Sequence, residues 1–252
     1  MIGLRNLYRV FQESRKAAQE HATLAVLGGS EQASELADFL GAQRGVHGAE
    51  IILSLPEGGG TLTLSGKAVE EPDEISLPAV NPEIVSEELV PRIVDAMDEN
   101  YLIPLGRGYP LFRRAVCEEV IRKNARQNAV IGALPIPGAD MPVMTANQGR
   151  MVLNIAAIHG EALSIDRAQE LIGVVAAGFG LRALSRQVIK FIPFGGWAAA
   201  AAIGYAGTVA MGRATMLYFE RDKQEVDEGE MSEIRRRAVA EAENFVARLR
   251  DR

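Results

Sequence analysis

From Phe191 to Gly212 the chain carries no charged residue, and inside that run Gly196, Ala200, Gly204, Thr208 and Gly212 fall at every fourth position. Residues four apart lie one above the other on a helix, so these five form a nearly continuous groove of small side chains. A second helix can approach such a groove closely, as in small-xxx-small packing. Gly173, Ala176, Ala177 and Gly180 offer a matching surface in the preceding segment. A helix over 191–212 would be about 33 Å long, enough to cover the hydrocarbon core of a bilayer. Pro193 and Gly195 start it late, however, and alanine and glycine carry little transfer energy. A spanning helix is therefore marginal, and the competing reading is a buried, close-packed helical hairpin. The neighbouring uncharged run, 171–181, is too short to span.

The bulk numbers set wide limits. At 252 residues the chain can hold one large domain or two small ones. A formal charge of −6 gives the whole molecule no nucleic-acid signature. Cys117 is the single cysteine, so no intrachain disulfide can form, which suits a reducing compartment. Near the amino terminus Leu4, Leu7, Tyr8 and Phe11 recur at helical spacing among Arg5, Arg9, Arg15 and Lys16. Arginines interrupt the apolar residues and there is no small-residue cleavage site. Residues 1–21 therefore read as a short amphipathic helix and not a secretory signal. Such a helix either packs on the protein's own core or lies on a membrane surface.

Residues 22–108 read as a small α/β region. ATLAVLGG is an apolar run closed by glycines, and the helix after it is capped by Ser30 and ended by Gly41 or Gly45. AEIILSLPE, TLTLSG and EISLPAV are further strands, with Gly58, Gly59 and Gly60 as a flexible turn. A helix starts at Pro82, and Pro91 predicts a kink or split in it. From Pro110 the pattern is helical. The first helix is strongly basic, with Arg113, Arg114, Arg122, Lys123 and Arg126. These make either a solvated charged face or a basic collar beside a membrane-seeking segment. Pro135, Pro137 and Gly138 form a turn, Asp140 caps the next helix, and Gly160 suits its end. Another helix begins at Ser164, and Pro193 with Gly195 breaks the chain before the stripe. RDKQEVDEGE reads as a charged linker. Ile234, Ala238, Ala242, Phe245, Val246 and Leu249 then mark one face of a last amphipathic helix.

Chemistry-bearing patterns fail one by one. A phosphate loop needs G-x-x-x-x-G-K-[ST], with backbone amides and a lysine on the phosphates and a hydroxyl on magnesium. Counted from Gly28, this chain offers Ala33, Ser34 and Glu35 where Gly, Lys and Ser or Thr are wanted. His21, His47 and His159 have no metal-ligand spacing. His159, just before Gly160, suits a helix carboxyl end. Cys117 lies mid-helix with no histidine placed to activate it, so it reads as an inert thiol.

The runs LPIPGADMPVMTANQGRMVLNIAAIHG, GFGLRALSRQVIKFIPFGGW and GRATMLYFE together resemble the bacterial family called domain of unknown function 697. RRAVCEEVIRKNARQNAVIG fits that family's entry helix, and the resemblance covers about residues 111–220. It implies a helical region that often stands behind an Era-like small GTPase domain or occurs in membrane proteins. It brings no catalytic residues. The front part then reads as a degenerate GTPase-like layer, departing from the pattern at Ala33, Ser34 and Glu35.

The expected class is thus α+β. An amphipathic helix (1–21) precedes a small α/β region (22–108). An all-α domain of close-packed Gly/Ala-rich helices follows (109–220), then a charged linker and amphipathic helix (221–252). The expected role is non-enzymatic, without cofactor or metal, in the cytoplasm or on the cytoplasmic face of the membrane. The expected partner is an anionic membrane surface or another protein, not nucleic acid, and a homo-oligomer is compatible with this. The alternatives are a soluble interaction module and a divergent GTPase-like nucleotide-binding protein.

Overall fold

The computed structural model describes residues 12, 20–133, 140–161, 196–224 and 226–250. Outside them lie the expected amino-terminal helix up to residue 19, Gln12 apart, the expected turn residues Pro135, Pro137, Gly138, Pro193 and Gly195, and the expected matching surface of Gly173, Ala176, Ala177 and Gly180. The chain divides into two compact units, Lys16–Glu119 and a helical unit from Val120 onward. A small mixed sheet followed by helices is the α+β class read from the sequence.

In the first unit, β1 (Leu24–Leu27), β2 (Gln43–Arg44), β3 (Ile51–Ser54), β4 (Gly60–Ser65) and β5 (Asp73–Leu77) form a five-stranded sheet in the order β2-β1-β3-β4-β5. β1 pairs in parallel with β2 and β3, and β3-β4 and β4-β5 are antiparallel. Alternate residues point to the core: Ile51 and Leu53, Leu62 and Leu64, Ile75 and Leu77 are buried. Helix α1 (Glu31–Leu40) follows β1 and buries Ala33, Leu36, Ala37 and Leu40. The Ser30 hydroxyl accepts from the Ala33 N–H at 3.2 Å. Gly41, at φ +66°, ends the helix in the left-handed conformation that favours glycine.

Helix α2 is built from Pro82–Ile84, a π turn at Val85–Leu89, and Val90–Asp95. Pro91 does not end it; the helix is interrupted by the π turn just before the proline. Proline has no N–H to give the preceding turn, and the widened turn, with the Val90 N–H bonded to Val85 O, carries the helix past that gap. Helix α3 (Glu99–Gly108) has no counterpart in the sequence reading, because Pro104, Gly106 and Gly108 hide its period. The Asp98 carboxylate caps it through the Asn100 N–H at 2.9 Å.

The helical unit takes in most of α4 (Arg113–Ala133), with α5 (Asp140–Ile158), α6 (Trp197–Glu220) and α7 (Glu228–Arg250). Asp140 is the first residue assigned to α5, and its side chain lies outside the described set. Gly160 (φ +83°) closes α5, with the Glu161 N–H on Ala156 O at 3.0 Å. The linker is shorter than the RDKQEVDEGE run, because α7 starts within it. The Asp227 carboxylate accepts from the Glu230 N–H at 3.0 Å and supplies the cap. On α7, Ile234, Ala238, Ala242 and Val246 are buried, Phe245 is half-buried, and Leu249 is exposed, against the expected packed face. Leu249 lies in the last turn, where the other helices of the unit also reach their ends.

Cross-helix contacts fix the directions. Met144 approaches Gly204, Gln148 reaches Thr208, and His159 stacks on Phe219, so α5 and α6 run the same way in constant register. Gly132 lies against Ala200, Asn128 against Gly204 and Ile121 against Gly212, so α4 runs opposite to α6. Tyr205 stacks on Phe245 at 4.8 Å, Arg213 pairs with Glu241 at 2.6 Å, and Arg221 pairs with Glu230. Thus α7 also runs opposite to α6.

Candidate functional site

The stripe faces α4. Gly204, Thr208 and Gly212 are buried, Ala200 is half-buried, and Gly196 is exposed at the helix start. A Cβ on Gly204 would stand 2.6 Å from Asn128 O, and one on Gly212 would stand 2.4 Å from Ile121 Cγ1. On the facing helix, a Cβ on Gly132 would stand 2.9 Å from Ala200 O. The backbones approach this closely only because these positions lack side chains.

At the centre of the stripe three helices meet on one hydroxyl. Thr208 Oγ1 accepts from Asn128 Nδ2 at 2.8 Å and from Gln148 Nε2 at 3.4 Å, and donates to Gly204 O at 2.8 Å. Asn128 Oδ1 in turn accepts from Asn147 Nδ2 at 2.9 Å. Asn128 and Thr208 are fully buried, so this node is a satisfied polar cluster inside an apolar interior. Sequence reasoning missed Asn128, Asn147 and Gln148. The available signal was their amides inside helices otherwise rich in small and apolar residues. Nearby, Tyr205 is pushed up from the usual phenol range, first by burial and then by the Glu241 carboxylate, with Arg126 opposing.

The two ends of this unit differ. Among its described residues, the large apolar side chains that stand exposed are Val130 (57%), Val143 (53%), Trp197 (52%) and Leu249 (40%). They come from four helices. Carried across by the contacts above, Val130, Val143 and Leu249 all fall beside residues 201–204 of α6. Trp197 begins α6 about 6–9 Å further along the axis. All four therefore crowd one end. Arg248 is exposed at the same level, and Arg126 is exposed about one turn below. The opposite end is charged: Lys223 Nζ is 2.8 Å from Glu161 Oε1, and Arg221 pairs with Glu230. There the chain turns through Asp222 and Lys223 at φ +52° and +68°.

The other sequence candidates stay apart. Gly28 follows β1 as expected, but a Cβ there would stand 2.6 Å from Leu55 O, so close packing of the β1 and β3 ends accounts for this glycine. The start of α1 carries Glu31 and is capped by Ser30, and a Glu57 carboxylate oxygen lies 3.4 Å from where a Gly29 Cβ would be. That is a poor setting for a phosphate. Cys117 is fully buried. Among the described residues no group of His, Cys, Asp and Glu is arranged to hold a metal ion, and no helix is long and apolar enough to cross a membrane.

Residues 111–244 match the model of the family described as Domain of unknown function (DUF697). The chain belongs to this family. The match starts just before α4 and ends within α7, so it takes in the first part of the last amphipathic helix. No curated protein and no solved structure matches the chain.

Proposed function

We propose that this DUF697 protein is a non-enzymatic docking module that attaches its helical unit to the cytoplasmic face of a membrane from outside, without spanning it. The observation that carries the reading is the crowding of Val130, Val143, Trp197 and Leu249 at one end of the unit. Single exposed apolar residues are ordinary on a protein surface, whereas a cluster marks a contact site. Arg126 and Arg248 beside it supply attraction to an anionic surface, about 1 kcal/mol each and screened by salt. A single cysteine favours a reducing compartment.

Sedimentation with anionic vesicles tests this. Binding should be reduced by high salt, leaving a salt-resistant part held by apolar insertion. Protein that stays entirely in the supernatant at low salt would overturn it. A second reading, a soluble interaction module, is favoured by the closure of the stripe under α4, since the small residues are then used internally. The divergent nucleotide-binding alternative predicts magnesium-dependent micromolar affinity for a guanine or adenine nucleotide in calorimetry. The carboxylates around Gly29 favour no heat of binding.

A further inference from the structure

We infer that the helical unit meets an anionic bilayer end-on, with its helix axes steep to the surface and Trp197 deepest among the described residues; this rests on the membrane reading above and specifies its geometry. An amphipathic helix lying flat needs exposed apolar residues along its length, every third or fourth position. The described helices show no such band. On α6 the only large exposed apolar residue is Trp197, in its first turn. On α4 it is Val130, near the last turn; on α5 Val143, in the first; on α7 Leu249, in the last. Opposite helix directions thus bring first and last turns to one level, and the apolar side chains ring the end instead of lining a side. Tryptophan prefers the depth where hydrocarbon gives way to headgroups. Of these four Trp197 projects furthest along the axis, and Arg248 and Arg126 sit at and just below the ring, at headgroup depth. Glu243 lies level with Arg126, so the charge nearest the ring is Arg248 alone, while Glu241 is further from the end and paired with Arg213, and the ion pairs Arg221–Glu230 and Lys223–Glu161 are at the far end. Among the described residues of the unit the exposed large apolar side chains thus stand at one end with Arg248, and the ion pairs Arg221–Glu230 and Lys223–Glu161 at the other, as a steep approach to an anionic layer requires.

Trp197 is the only tryptophan of the chain, so its fluorescence reports depth without labelling. The full chain is mixed with vesicles of phosphatidylcholine and phosphatidylglycerol, some of them brominated along the acyl chains. Expected is a blue shift of Trp197 emission and quenching by bromines near the headgroup. The double variant Trp197→Phe, Leu249→Trp should behave alike, because its reporter is on the same ring. The double variant Trp197→Phe, Tyr218→Trp carries its reporter near the charged end and should show neither change while still sedimenting. Replacing Arg126 and Arg248 with Gln should weaken binding about fivefold for each. Equal quenching at 218 and 249 would mean a flat orientation and overturn the inference while leaving membrane association intact. Quenching at 197 but not at 249 would reduce the contact to one side chain and also overturn it. No sedimentation of the parent chain with either vesicle type would remove the membrane reading itself and leave the ring as a protein-binding surface. Circular dichroism on each variant identifies any that fails to fold.

Discussion

At one end of the helical unit Val130, Val143, Trp197 and Leu249 stand in solvent, while at the other Arg221, Lys223, Glu161 and Glu230 are tied into ion pairs. Four helices supply the first, and three of them, α5, α6 and α7, supply the second. The charged end resembles an ordinary protein surface: it closes helices, satisfies backbone groups and stays soluble. Its ion pairs add little, because exposed pairs are worth about 0–1 kcal/mol. At the apolar end, among the described residues, four large apolar side chains stand in water, and that asymmetry separates a structural end from one available for contact.

The first way to break the comparison is to remove the core both ends share. Gly204→Leu should force α4 away from α6 at a cost of roughly 1–3 kcal/mol, since its side chain meets the Asn128 backbone. Thermal unfolding reads this, and a parental midpoint would mean that the α4–α6 contact is loose. Next, Thr208→Val keeps the shape and removes the acceptor of the node. Denaturant unfolding should show a loss on the order of 1 kcal/mol. Both substitutions should weaken vesicle binding only through unfolding.

Smaller effects separate the ends. Lys223→Ala should cost at most about 1 kcal/mol and leave vesicle binding unchanged. Acid should loosen the charged end first. Asp227 is held below the usual carboxylate range by the Glu230 N–H, and Glu233 by Arg237 and then Arg236. A carboxylate lowered in the fold contributes stability that is full above its unfolded value and lost as pH falls through the folded value. Corrected for its intrinsic pH dependence, hydrogen exchange over the first turns of α7 should therefore quicken as pH drops below the ordinary carboxylate range, before that of α6. Exchange that quickens uniformly would contradict the assignment. The smallest effect on stability belongs to Val143→Ser, within about 0.5 kcal/mol. Yet it should lower vesicle binding, and the size of that drop measures how much of the contact is apolar.

The sequence disclosed these regions unevenly. Period and caps were legible: Ser30, Gly41 and Gly160 ended helices where their chemistry demanded, and alternation marked β3 to β5. The stripe announced close packing, but not its partner. The matching surface the sequence offers, in the preceding apolar segment, lies outside the described residues, and the described contacts bring Ile121, Asn128 and Gly132 of the basic helix onto the stripe. A charged helix hides its packing face, because its arginines dominate the pattern and Ala, Asn and Gly do not stand out. The apolar end was less legible still. Its residues lie far apart in sequence and share a level only because α4 and α7 run opposite to α5 and α6. No linear period encodes that coincidence.

The four-residue repeat of the stripe has a further consequence. Sliding α6 by one turn against α4 brings another small residue to each contact, so the groove behaves like a ruler with evenly spaced, unnumbered marks. Thr208 is the one numbered mark. Its hydroxyl meets Asn128 and Gln148 in a single alignment, and a slide of about 6 Å parts them. Closeness is thus written redundantly over many positions, whereas position is written once. Losing a mark in the groove blurs the fit locally, but losing the number leaves a tight pair that no longer records which turn belongs opposite which.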